Sequence, residues 1–435
     1  MRLKRVISAL LAPLLVAGAV VVSILIPEAK APLVSDGSYP AVICPGALRE
    51  GREVISLPIK NLSTREILGS AVKRKVQNEQ LVNGASAPTL ISANPGSEIA
   101  FVSMLGTNTA ETVCQAGGSD QWFIGGSAGV TSQGTLQVVN SGLSDSSVQI
   151  FSYNSKVAFA PISFTVKANS AKSFALASLA PGDESVALHV ESVAGRVSSF
   201  LLDHRKNGLH DLGSSFVTPV SAPTAISFIA GLYGSTKKAT AMMRFLVPGN
   251  VNAVVHLTIY SEGATFTPIG FDALRVSHQR VVDVPLPTLA LTRPYGIGIT
   301  SDQPIFAATL TRTTAGGTNF SWANQLTQIS SFRVNFNASK VQFFFIGKSL
   351  ALRAQWNDAK GRLKSALITG ESSALWSPTE ALSGIAFRPL SKAPIYGGAL
   401  VTNSLGGVLN LPLLANIPIS RAQVPVADLR TLTRH

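Results

Sequence analysis

The chain has 435 residues, of which 46% are hydrophobic and only 14% charged, and its net charge is +13. The charged fraction lies well below the roughly 25% of an ordinary soluble protein, and the abundance of apolar residues excludes a disordered chain. The length suffices for three or four domains of about a hundred residues each.

Arg2, Lys4 and Arg5 open the sequence, and an uncharged run follows from Val6 to Pro27. About twenty apolar residues cross the hydrocarbon core as a helix. Basic residues before the span and none directly after it keep the N-terminus in the cytoplasm. Residues 1–27 are therefore expected to form a cytoplasmic tip and a single transmembrane anchor, with the rest extracytoplasmic. The alternative is secretion after cleavage, for which "AKA" at 29–31 offers a site, although Pro32 and the length of the run speak against it. Three of the positive charges belong to the tip, so the remainder carries +10. Such a surface suits anionic wall polymer or lipid headgroups. The plainer reading is scattered solubilising charge, since the densest cluster is only Lys73-Arg74-Lys75. Nucleic acid is not an expected partner in this compartment.

Residues 28–118 form an N-terminal β region that holds both cysteines, Cys44 in "VICPGAL" and Cys114 in "ETVCQAGG". An even, small number outside the membrane predicts one disulfide; it would close a loop of 70 residues and stabilise by roughly 4 kcal/mol in the chain-entropy model. Two free buried thiols are the alternative. No C-x-x-C is present, and zinc would need more ligands.

The next segments repeat. "FAPISF" at 159–164 recurs as "FTPIGF" at 266–271, a shift of 107 that also carries Gly142 onto Gly249, Tyr153 onto Tyr260 and Leu179 onto Leu286. "FIGG" at 123–126 meets "FIAG" at 228–231 at a shift of 105. A weaker third copy begins near residue 338, where "FFFIG" lies 98 residues after "FLVPG". Short alternating runs such as "SVQIFSY" and "VVHLTIY" argue half-buried strands, and Gly, Pro, Asn and Ser punctuate them. The nearest approach to a helical period outside the anchor is "STREILGSAVKRKVQ" at 63–77, where "AVKRKVQ" also reads as a strand. The expected fold is all-β: tandem antiparallel β-sandwich repeats, immunoglobulin-like, at 119–219, 220–327 and a divergent 328–435.

Candidates for chemistry are few. Gly125-Gly126-Ser127-Ala128-Gly129 fits the G-x-S-x-G nucleophile elbow, which needs a strand, a strained turn and a helix. Here "VTSQGTLQVV" reads as a second strand, and the repeat puts Leu232 at the Ser127 position, so a repeated turn explains the motif better than an active site. Asp203, His204, His210 and Asp211 would suit a divalent metal if a loop gathered them, but the second copy has no His or Asp there. His189 and His256 alternate with core residues and are expected to face solvent. No pair of carboxylates stands out for glycoside hydrolysis. Trp122, Trp322, Trp356 and Trp376 would stack sugars if exposed, but one Trp per sandwich is the pattern of core packing.

The anchor, the "CPG" at 44–46, Cys114 ahead of "QWFIGG" and the copies of about 107 residues together resemble an uncharacterised family of actinobacterial envelope proteins, known only as a domain of unknown function. The resemblance implies a membrane-anchored, extracytoplasmic protein and brings no catalytic residues. The expectation is a non-catalytic structural or adhesion-type scaffold of the cell envelope, without metal or other cofactor. It would be tied to the cytoplasmic membrane through residues 6–27 and would meet envelope proteins or anionic cell-wall polymer. A carbohydrate- or anionic-polymer-binding module is the alternative, and a serine or metal-dependent hydrolase a distant third.

Overall fold

Alternation turns these segments into strands. In Ala253–Ser261 the side chains of Ala253, Val255, Leu257 and Ile259 are buried and His256 between them is exposed, the period-two pattern of a sheet with one face in a core. The computed structural model describes residues 41–413 apart from 57–61, 68–73, 77–80, 84–85, 93–99, 106–107, 235–238, 314–318, 336–339, 359, 381–383 and 403–407. All the described residues belong to one unit of the chain, Pro40–Ile419.

The strands fall into four successive groups. The first holds β1 (Ala41–Cys44), β2 (Arg52–Ser56), β3 (Leu62–Glu66), β4 (Arg74–Val76), β5 (Leu81–Asn83), β6 (Thr89–Ser92), β7 (Ala100–Leu105) and β8 (Asn108–Val113). The second holds β9 (Asp120–Ile124), β10 (Thr135–Asn140), β11 (Ser146–Tyr153), β12 (Ile162–Val166), β13 (Ser170–Ala175), a one-turn helix α1 (Leu176–Leu179), β14 (Ala187–Ala194), β15 (Ser198–Asn207) and β16 (His210–Val217). The third holds β17 (Thr224–Leu232), β18 (Ala239–Leu246), β19 (Ala253–Ser261), β20 (Ala264–Phe266), β21 (Leu274–Val276), β22 (Val281–Pro285), β23 (Tyr295–Thr313) and β24 (Asn319–Asn324). The fourth holds β25 (Phe332–Asn335), β26 (Lys340–Ile346), β27 (Leu350–Asn357), β28 (Leu363–Gly370), β29 (Ser373–Trp376), β30 (Gly384–Pro389), β31 (Tyr396–Thr402) and β32 (Val408–Leu413).

Every group builds the same pair of antiparallel sheets. With strands counted from one to eight within the first, second and fourth groups, one sheet has the order 4-3-6-1 and the other 5-2-7-8; in the third, β20 and β21 share the place of the fourth strand, β22 takes that of the fifth and β23 those of the sixth and seventh. The third group meets this plan with a fusion. Its β23 runs in the first sheet beside β19 and β17, then crosses and runs in the second beside β18 and β24. Residues 300–304, where it crosses, are the only non-buried stretch in its first seventeen residues. The second group breaks the chain at that point into β14 and β15. The region 63–77, the nearest approach to a helical pattern, supplies β3 and β4.

The groups are not independent. Val42, Ile43, Cys44, Ile55 and Ile91 of the first share a core with Val139, Phe200, Leu202 and Phe216 of the second. Phe123, Leu136, Val148 and Leu188 of the second share one with Phe306, Leu310, Phe320 and Trp322 of the third. "FFFI" loses its alternation for this reason: Phe343 and Phe345 point into the fourth group's own core, and Phe344 and Ile346 face Ala230 of the third. Each large apolar side chain so buried contributes about 1.5–3 kcal/mol.

The eighth strands meet one another. β16 packs against β8 on one side and β24 on the other, β24 packs against β32, and β32 returns to β8. All six residues of β24 are buried in consequence. Cys44 and Cys114 are disulfide-bonded, with Cα atoms 4.4 Å apart and both side chains buried, and the adjacent Ile43 and Gln115 exchange backbone hydrogen bonds at 2.8 Å. The bridge ties the first strand of the first group to the segment that leaves its last. Among the described residues no helix is long and apolar enough to cross a membrane; the run 6–27 lies outside them.

Glu111 on β8 has its carboxyl pushed up to about 8 by desolvation. A raised acid pKa means that the folded protein holds the proton more tightly than the unfolded chain. Stability is therefore full below the ordinary value near 4.5 and falls as the pH rises towards 8. In that window the fall tends towards one proton's worth of free energy per pH unit. Glu111→Gln is expected to flatten this slope in urea unfolding between pH 5 and 9 and to be more stable than wild type at the upper end.

Candidate functional site

The G-x-S-x-G motif lies directly after β9, in non-helical chain, and β10 begins at Thr135 without a helix between them. The strand–turn–helix of a nucleophile elbow is absent. Gly126 has φ +98°, a left-handed conformation that favours glycine. A Cβ on Gly125 would stand 2.8 Å from Val217 and 3.0 Å from Trp322. Ser127 is buried, its hydroxyl accepts from the Gly129 N–H at 3.2 Å, and its carbonyl accepts from the Ser132 hydroxyl. Among the described residues no hydrogen bond joins Ser127 to a histidine.

What the turn meets is Arg244, which β18 projects from the third group. Its Nε–H and one Nη2–H donate to Asp283 Oδ1 and Oδ2, both at 2.7 Å. The other Nη2–H donates to the Glu184 carbonyl at 3.0 Å. Nη1 donates to the carbonyls of Gly126 at 2.6 Å and Val186 at 2.9 Å. The guanidinium centre lies 4.7 Å from the ring centroid of Trp322, within cation–π range. All five donors of the side chain are thus used, three of the acceptors are carbonyls of the second group, and the residue is 1% exposed. Asp283 is the direct cross-strand partner of Arg244 and also accepts from the Ser185 hydroxyl at 2.7 Å. A buried charge is tolerable only when paired and fully hydrogen-bonded, and this one is.

A second polar knot lies at the indole N–H of Trp322. Asp203, fully buried, accepts from Arg205 Nη2 at 2.8 Å and from Trp322 Nε1 at 2.9 Å. The Trp322 N–H donates to the Ser215 hydroxyl at 2.9 Å, and Asn324 Nδ2 to the Ile124 carbonyl at 3.2 Å. The four residues weighed as metal ligands are divided by this arrangement. Asp203 faces Arg205, His204 Nε2 lies 3.4 Å from Asp211 Oδ1, and His210 is exposed. Burial holds His204 below the ordinary imidazole value against the pull of Asp211. Among the described residues no three His, Cys, Asp or Glu side chains are grouped as a metal would require.

The same joint recurs one group later. Gly231, the repeat equivalent of Gly126, has φ +75°, and its carbonyl accepts from Asn410 Nδ2 at 2.6 Å. Ala230 O accepts from the same amide at 3.1 Å. A Cβ on Gly398 would stand 2.0 Å from that Ala230 oxygen, so the two strands touch backbone to backbone. Leu232, in the Ser127 position, is buried. The glycine segment, a turn after β9 in one copy and an irregularity within β17 in the other, is a socket for the following group in both, and the serine hydroxyl is not part of what repeats.

The aromatic residues serve the same joints. Trp122 stacks on His189 at 3.9 Å and on Phe306 of the third group at 4.6 Å. His189 therefore does not face solvent as expected: the tryptophan covers one side, and its Nε2 lies 2.9 Å from Asp120. His256 is exposed. Trp122 and Trp322 are both buried, which removes them as sugar platforms. Trp356 and Trp376 lie 5.5 Å apart and half-buried, and Trp356 donates to Glu380 at 2.7 Å. Arg244 and Asp283 escaped the reading of the sequence. Their signal was present: one charge each inside the apolar strands "AMMRFLV" and "VVDVP".

Residues 84–366, nearly two thirds of the chain, match a family described as a family of unknown function (DUF5719). The match bears on an uncharacterised family and not on a source organism or an anchor. No curated protein matches. Two solved structures align over much of their length. A tetra-tandem repeat in the extending region of a large adhesion protein is 12% identical, with 85% of this chain and 92% of that chain covered and a TM-score of 0.12. A chain of the T13 IBDV viral particle is also 12% identical, with 80% and 76% covered and a TM-score of 0.12. Scores at that level carry nothing about fold or function.

Arg244→Ala would strand Asp283 and three carbonyls, and its expected cost is about 3–5 kcal/mol in chemical denaturation. Ser127→Ala is expected to cost about 1 kcal/mol or less. The reverse ranking would show that the hydroxyl, not the guanidinium, organises the turn.

Proposed function

This chain belongs to the family of unknown function DUF5719, which lends it no activity, and from the residues themselves we propose a non-catalytic structural or adhesion-type scaffold of the cell envelope. In this reading each eight-stranded group is an immunoglobulin-like sandwich. Residues 1–5 lie in the cytoplasm, 6–27 span the membrane once, and the remainder stands outside. The observation that carries the proposal is the Arg244 joint, where the turn with the best claim to chemistry is occupied in binding the next group. The His204–Asp211 segment supports it in the same way, since Asp203 is committed to Arg205 and Trp322. The disulfide suits an oxidising compartment. Buried joints between successive groups resist bending, the property a scaffold requires. Its partners are envelope proteins or anionic wall polymer.

Leu209, fully exposed between β15 and β16, gives a direct test. Both native cysteines are bridged, so Leu209→Cys supplies a single free thiol. A membrane-impermeant maleimide should label it in intact cells, and the protein should stay with the membrane through an alkaline carbonate wash. Labelling only after lysis would overturn the extracytoplasmic placement; release by the wash would favour the cleaved, secreted form.

A further inference from the structure

The outer face of the fourth group's 4-3-6-1 sheet differs from its counterparts. Arg353 on β27 stands directly across from Arg388 on β30 and from Leu367 on β28. Direct partners share a face, so two guanidiniums and a leucine lie side by side. Leu363, across from Asn357 on the same face, is 69% exposed and Leu367 63%. Arg353 and Arg388 are exposed, and neither takes part in an ion pair among the described residues. Arg333 on β25, opposite Ala386, adds a third positive charge. No acidic residue lies at the described positions of this face. In the second group the third and sixth strands instead oppose Gln149 with Glu191. Like charges placed directly opposite destabilise a sheet, and among the described residues no ion pair offsets these.

From this we infer that the face of β27, β28 and β30 rests on an anionic phospholipid surface. Arginine forks match phosphate oxygens. A phosphate layer supplies the negative charge that the protein omits, and the two leucines reach past it to the acyl boundary. A sheet face that carries exposed leucines beside its cations fits a lipid surface better than a soluble polymer, which would leave the leucines in water. The inference rests on the membrane-side placement proposed above.

The test uses the full-length chain with Leu367→Cys carrying the environment-sensitive dye NBD, since both native cysteines are bridged. It is reconstituted in vesicles of phosphatidylcholine alone or mixed with phosphatidylglycerol. Blue-shifted, brighter emission is expected only with phosphatidylglycerol, and it should be lost in Arg353→Glu/Arg388→Glu and in about 1 M salt, where the Debye length falls to about 3 Å. Arg353→Gln/Arg388→Gln, a milder change at exposed positions, should also lose the signal while keeping the wild-type melting curve. Emission unchanged by phosphatidylglycerol, in protein that still floats with the vesicles, would overturn the lipid face and leave the anchor standing. A shift that survives both arginine pairs of substitutions would overturn it equally. A phosphatidylglycerol-dependent shift in protein that fails to float with phosphatidylcholine vesicles would support the face and count against the anchor alone.

Discussion

The structure depends on one constraint: the first three pairs of sheets each have a second apolar surface that the following group covers. A lone sandwich needs its inner faces apolar and its outer faces polar. Here Trp122 on the second group's outer face meets Phe306 of the third, and Phe228 of the third meets Tyr396 of the fourth at 4.5 Å. Once those outer faces are buried, the strand ends beneath them lose water, and their carbonyls must find donors elsewhere. Arg244 and Asn410 are those donors. Each reaches back across a junction to the equivalent glycine-bearing segment, one with a charge and one with an amide. The arginine is the more demanding solution, because it brings a charge that Asp283 must balance in the same strand pair.

This explains why the turn imitates an enzyme motif. Val217 of its own group and Trp322 of the next crowd out a Cβ at Gly125, and the left-handed bend requires Gly126. The residue that follows is buried, a serine here and Leu232 in the next copy. Two glycines and a serine under these demands spell the start of a nucleophile elbow without any of its chemistry. The sequence element and the catalytic one share a cause, a backbone that something must approach closely, and differ in what approaches.

Much of the fold could be read from alternation. β11 and β19 bury every second side chain, and their match at a shift of 107 survives because both faces of each strand do the same work in both copies. The first group was harder to recognise as a copy. It has the same strand order as the others, but β4 and β5 have three residues each, too few for a pattern to register. β24 and β26 were harder still. Burial on both sides erases alternation, so "NFSWAN" reads as a polar loop and "FFFI" as an undifferentiated core segment. The joints were least legible, because a pairing such as Arg244 with Gly126 links positions far apart in the sequence. An unpaired charge in an apolar strand marks that something must answer it, and not what. The disulfide was legible for the opposite reason: two cysteines allow one bridge.

The contact between β8 and β32 has a consequence for how the molecule comes into being. The strands that close the first group against the fourth are the earliest and latest of the eighth strands to be synthesised. Until the last group has left the ribosome, and on the proposed topology the translocation channel as well, one side of β8 has no neighbour. The disulfide fastens the first group within itself while that side waits. The molecule is therefore assembled in order and completed all at once, and a truncation near its end would be felt at its beginning.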